Sequence, residues 1–102
     1  MFIAREPKTI TAVLGTASTL LRPSAHGMCR LIVVKPETAS TTYDLLIVDK
    51  YGYRFFEMTD LTGEQTFAVD LPIFSYLTAT IVNASIDEDF DIMLATAEHY
   101  SL

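Results

Sequence analysis

Four acidic residues stand almost together near the end of the chain, as Asp87-Glu88-Asp89 followed by Asp91. Carboxylates at alternate positions of an extended strand project to one side, where they can converge on a hard cation such as Ca²⁺. The stretch lacks the interior glycine and the distal bidentate glutamate of a calcium loop, so no metal is assigned to it. The plainer reading is a solvated connection whose charge keeps sheet edges from pairing with other chains.

Other residues capable of chemistry are sparse. Acid–base work by carboxylates needs one of them in an apolar pocket that raises its pKa. Glu57 alone sits inside an aromatic, apolar run (Phe55, Phe56, Met58), and nearby Arg54 points to a simple ion pair instead. Cys29 is the single cysteine, which excludes an intrachain disulfide and a cysteine-rich metal site. It reads as a small buried hydrophobe in a strand. Neither His26 nor His99 has a spacing to Cys29 that suggests a nucleophile–base pair. Glycine-rich phosphate loops and nucleophile elbows do not occur. Catalytic residues and cofactors are therefore expected to be none, and the chain is read as not an enzyme. The five tyrosines could stack on sugar rings, Tyr51 above all because it lies at a hairpin tip. The absence of tryptophan weakens that case, and a carbohydrate-binding module stands as the alternative function.

The elements that position these residues read as strands. Lys8–Leu14 alternates Ile10, Ala12 and Leu14 against Thr9, Thr11 and Val13, the period of a half-buried strand. Gly15-Thr16 marks a turn, and Ser18–Leu21 suits a short strand. Three strands then follow in succession. Leu31–Val34 closes at Lys35-Pro36, Tyr43–Val48 at Asp49–Gly52, and Tyr53–Met58 is aromatic. In the first of these, Cys29, Leu31 and Val33 share one face. A loop over Thr59–Glu64 leads to strands at Phe67–Leu71, Leu77–Val82 and Phe90–Ala95. Met93–His99 is the one stretch that could form a helical turn.

Seven or eight short strands with turn signals between them imply an all-β fold, an antiparallel β-sandwich of jelly-roll or Ig-like type. Residues 8–102 form that domain, and Met1–Pro7 reads as a flexible N-terminal arm. Half of the 102 residues are apolar, more than one small sandwich needs, which points to association with copies or partners. Phe2, Ile3 and Arg5 of the arm, with Tyr51 and Tyr53, are the expected interface residues. The net charge of −6 and the scattered basic residues argue against a nucleic-acid partner. No apolar run suits a membrane span or a signal peptide, so synthesis and folding in a cytoplasm, with no membrane partner, are expected.

Two segments carry a resemblance, CRLIVVKPETASTTYDLLIVDKYGYRFF and SYLTATIVNASIDEDFDIML. Lys35-Pro36, Tyr43-Asp44, the Asp49–Gly52 hairpin, Ser75-Tyr76, Asn83-Ala84-Ser85 and Asp87 resemble the turn and strand chemistry of small β-sandwich proteins in tailed-phage virions. The resemblance implies a non-enzymatic structural component such as a capsid decoration (cement) or connector-type protein. It would be made in the host cytoplasm and located in the virion, as a homo-oligomer or bound to capsid or tail proteins.

Overall fold

A computed structural model describes residues 3–21, 27–73 and 75–98, with residues 3–7 and 97–98 described as backbone alone. β-branched and aromatic residues at every second position make each extended segment bury one face, and eight strands result. These are β1 (Ile3–Thr11), β2 (Ala17–Leu21), β3 (Gly27–Pro36), β4 (Thr42–Asp49), β5 (Arg54–Thr62), β6 (Gln65–Ile73), β7 (Leu77–Val82) and β8 (Asp89–Glu98).

The pairings β4–β5, β3–β6, β2–β7 and β1–β8 are all antiparallel. They are nested, so the chain forms one long double ribbon, out through β4 and back from β5. Rolling that ribbon into two layers adds the ladders β3–β8 and β4–β7. The sheets then have the orders β1-β8-β3-β6 and β2-β7-β4-β5. This is a jelly roll, which decides between the two sandwich types expected.

The core lies between the sheets. Tyr43, Leu45 and Ile47 of β4 meet Phe90, Ile92 and Leu94 of β8, with Leu77, Ala79 and Ile81 of β7 beside them, all buried. The Tyr43 and Phe90 rings pack edge to face with centroids 5.1 Å apart, a geometry favoured by the aromatic quadrupole. Phe56 of β5 and Phe67 of β6 pack at 5.1 Å across one open side of the sandwich.

Strand alternation is interrupted at bulges. Register shifts in β3 between Cys29 and Leu31, so Cys29 points inward but Ile32 and Val34, not Leu31 and Val33, continue that face. Opposite Ile47 and Val48, β5 carries an extra residue, and both Phe55 and Phe56 pack against the core where strict alternation would separate them. Thr59–Glu64 is mostly strand, not loop. Leu61 pairs with Tyr43, and Asp60 takes a positive φ of 56° in a further bulge opposite Asp44.

The chain ends also differ from expectation. From Ile3 onward the expected arm is the first half of β1, paired with β8 as far as Ala97. β1 is an edge strand, the place in a sheet where a proline such as Pro7 is tolerated. Met1 and Phe2 lie outside the described residues. The expected helical turn at Met93 is instead strand through Glu98, because β1 and β3 flank β8 and take up its backbone on both sides.

Candidate functional site

Jelly-roll connectivity sends the loops β1–β2, β3–β4, β5–β6 and β7–β8 to one end of the molecule, and β2–β3, β4–β5 and β6–β7 to the other. The molecule extends 47 Å along its longest axis. Exposed large apolar side chains concentrate at these ends, and so does the polar chemistry anticipated from the sequence.

At the first end the acidic residues singled out above are held apart, each by its own donors. Asp87 accepts the backbone N–H groups of Leu14 and Gly15 at 2.9 and 2.8 Å. Glu88 accepts the Thr38 N–H at 2.9 Å and the hydroxyls of Thr38 and Thr41 at 2.8 and 2.9 Å. Asp89 and Asp91 each accept a hydroxyl at 2.6 Å from the residue directly across the ladder, Thr11 and Thr9. Backbone bonds tie the same loops together: Ala12 N–H to Glu88, Ala84 N–H to Gly15, Glu37 N–H to Asp89 and Gly63 N–H to Thr41. The Tyr43 hydroxyl donates to the Gly63 carbonyl at 2.6 Å. Asp87 and Glu88 thus act as latches between loops far apart in sequence, and Asp89 and Asp91 fasten the adjoining ends of β1 and β8.

Electrostatics follow from those bonds. At Glu88, partial burial pushes the carboxyl pKa up, but the Thr38 N–H and the two threonine hydroxyls outweigh it and hold the pKa below the ordinary range. Asp44 is lowered by the Asn83 side-chain amide and then by the Asp60 N–H, the donor that pins the β5 bulge. A depression of about 340 Å³ beside Thr9, Lys35, Pro36, Glu37, Asp89 and Asp91 opens next to these latches.

From this latched end the β1–β2 hairpin projects. Leu14 and Gly15 both take positive φ, 54° and 78°, in the two-residue turn closed by Val13 and Thr16. That turn ordinarily favours Asn-Gly. Leu14, expected in the core face of a strand, is 92% exposed, Val13 is 64% exposed, and Ile86 beside Asp87 is exposed as well.

The opposite end is built differently. Asp49 Oδ1 accepts the N–H groups of both Tyr51 and Tyr53, at 2.8 and 3.0 Å, and fixes the β4–β5 hairpin from within. Between this loop and the next runs a long 3.4 Å contact from Lys50 N–H to the Ser75 hydroxyl. Tyr51 and Tyr53 are exposed at 70% and 73%, and Tyr53 belongs to the turn, not to the strand expected for it. Lys50 Nζ lies 5.0 Å from the centre of the Tyr51 ring. Below them a cleft of about 310 Å³ is lined by Asp49, Tyr51, Phe55, Pro72, Ser75 and Leu77.

The remaining residues with chemical potential are accounted for structurally. Cys29 is fully buried, and burial pushes its thiol up to about 11 while a weak bond to the Leu31 carbonyl works the other way. Such a thiol is protonated at neutral pH and a poor nucleophile. Glu57 accepts a 2.8 Å bond from Arg54, the expected exposed ion pair. Burial pushes the Tyr43 phenol up to about 12. The structure brings Tyr51 and Tyr53 onto one hairpin and leaves Ile3 and Arg5 on the β1 edge. His26, His99 and Phe2 lie outside the described residues. Among the described residues no helix is long and apolar enough to cross a membrane.

Sequence reasoning missed the partners of the acids. The signal was present as two complementary polar stretches, the threonine-rich Pro36–Thr42 and the acid-rich Asn83–Asp89. No protein-family model matches the chain, and no curated protein matches it significantly in sequence.

Proposed function

We propose that this protein is a non-enzymatic assembly component working through protein–protein contacts. One observation carries the reading: the outward apolar side chains gather at the two loop ends, while the carboxylates nearest them are engaged as latches. A rigid two-layered body with greasy tips suits docking better than turnover. Among assembly roles, the resemblance of Lys35-Pro36, Tyr43-Asp44 and Asp49–Gly52 to phage sandwich proteins favours a virion component such as a capsid decoration protein. The test is peptide mass spectrometry of purified particles from the strain that encodes the chain. A fixed copy number per particle supports the reading, and absence from particles contradicts the virion role.

A carbohydrate-binding module is the second reading, favoured by the cleft beneath Tyr51 with Asp49 and Ser75 in its wall. Saturable binding on a glycan array that disappears in Tyr51→Ala would establish it.

A further inference from the structure

The two ends differ in shape and charge. The latched end presents Leu14 on a turn whose two N–H groups donate to Asp87, flanked by Val13. A leucine in the left-handed region is strained, and one so exposed gains nothing from the core. Both features make sense for a side chain meant to enter another molecule. Its collar is acidic, with Glu37, Asp87 and Glu88 on the neighbouring loops, and eight of the chain's 13 acidic residues lie toward this end. Lys35, the cation beside them, faces Glu64 at 4.0 Å.

The opposite end offers the reverse. Its cleft has apolar walls from Phe55, Pro72, Leu77 and the Tyr51 ring, with Asp49, whose carboxylate is turned to its own hairpin N–H groups, and Ser75 at its margin, and its volume accommodates an aliphatic side chain with room to spare. Lys50 stands over Tyr51, with no carboxylate partner among the described residues, whereas Arg54 in the same hairpin is paired with Glu57. Knob and cleft lie at opposite ends of a 47 Å molecule, so they cannot meet within one chain.

We infer that copies of this chain associate head to tail, Leu14 of one copy seated in the Tyr51–Leu77 cleft of the next, with the acidic collar facing Lys50. The inference rests on the assembly reading and names its interface. Such a contact is heterologous: each addition leaves a free knob and a free cleft, so it builds rings or open rows. Steering by the collar and Lys50 makes it weaken with salt.

Sedimentation velocity on three proteins decides it. Wild type should form concentration-dependent multimers that shrink at high salt. Leu14→Asn, which relieves the turn, should be at least as heat-stable yet monomeric. Tyr51→Asp, at an exposed position, should also be folded and monomeric. Mixed one to one, the two variants should give a dimer and nothing larger, because one supplies the intact cleft and the other the intact knob. Multimers unaffected by both substitutions would overturn the head-to-tail contact and leave the assembly reading standing. A mixture that stays monomeric would overturn it in favour of a two-fold interface. A wild type monomeric at every soluble concentration would also overturn it, and the assembly reading would then rest on the particle measurement alone.

Discussion

The two ends of the sandwich share one ribbon and one core but are held by different means. At the latched end, bonds join residues some 40 to 80 positions apart: Thr38 to Glu88, Leu14 to Asp87, Asp44 to Asn83, Thr9 to Asp91. At the tyrosine end, the hairpin bonds span four residues or fewer, from Asp49 to Tyr51 and Tyr53. Long-range bonds form only when the whole fold is in place, so they tie loop order to global stability. Local bonds survive or fail with their own turn. One end is therefore fixed by its loops, while the other keeps a cleft between the β4–β5 hairpin and the β6–β7 connection.

Substitutions at the two ends should separate accordingly. The largest effect is expected for Tyr43→Ala, which empties the ring packed on Phe90 and removes the bond to Gly63. Chemical denaturation should show a loss of about 3–5 kcal/mol, of which Tyr43→Phe should reproduce only about 1 kcal/mol. Glycines give a cleaner contrast. An added Cβ at Gly63 would lie 2.5 Å from the Ala39 carbonyl oxygen, whereas at Gly52 nothing lies within 4 Å. Both residues have positive φ. Gly52→Ala should cost only the left-handed backbone term, about 1–2 kcal/mol. Gly63→Ala should cost that and about 1–3 kcal/mol more from backbone displacement, measured by the same denaturation midpoint. Equal costs would break the contrast.

Acid should act on the latched end first. Glu88 and Asp44 both have pKa values lowered in the folded state. A group of this kind contributes stability above its unfolded pKa and loses it as pH falls through the folded value. The melting temperature should therefore begin to fall below about pH 4.5, the ordinary glutamate value. The double variant Glu88→Gln, Asp44→Asn should start lower at neutral pH and fall less steeply on acidification. The smallest effect is expected for Tyr51→Ala, whose exposed ring contributes little to the fold. Its denaturation midpoint should move by no more than about 0.5 kcal/mol, although association should be lost.

Much of this fold was legible as alternation. Phe67, Val69 and Leu71, Leu77, Ala79 and Ile81, and Phe90, Ile92 and Leu94 each announce a strand face, because the period of two is a local property. The bulges at Arg30, Asp60 and Phe55 were not, since an extra residue is defined by the partner strand as well as by its own. The turn at Leu14 was hidden because leucine is a poor marker for positive φ, and its enabling partner, Asp87, lies 73 residues away. The acids were visible as a group, but their threonine partners could be matched to them only after the ribbon had rolled. The tyrosine hairpin was readable from Asp49–Gly52 alone, because what holds it is local.

Amide hydrogen exchange tests the difference between the ends most directly. The N–H groups of Leu14, Gly15 and Thr38, each bonded to a distant carboxylate, should exchange close to the rate set by global unfolding. Those of Tyr51 and Tyr53, bonded within their own hairpin, should exchange orders of magnitude faster. Comparable protection at both ends, or fast exchange at Leu14 and Thr38, would contradict a latched end opposite an open one.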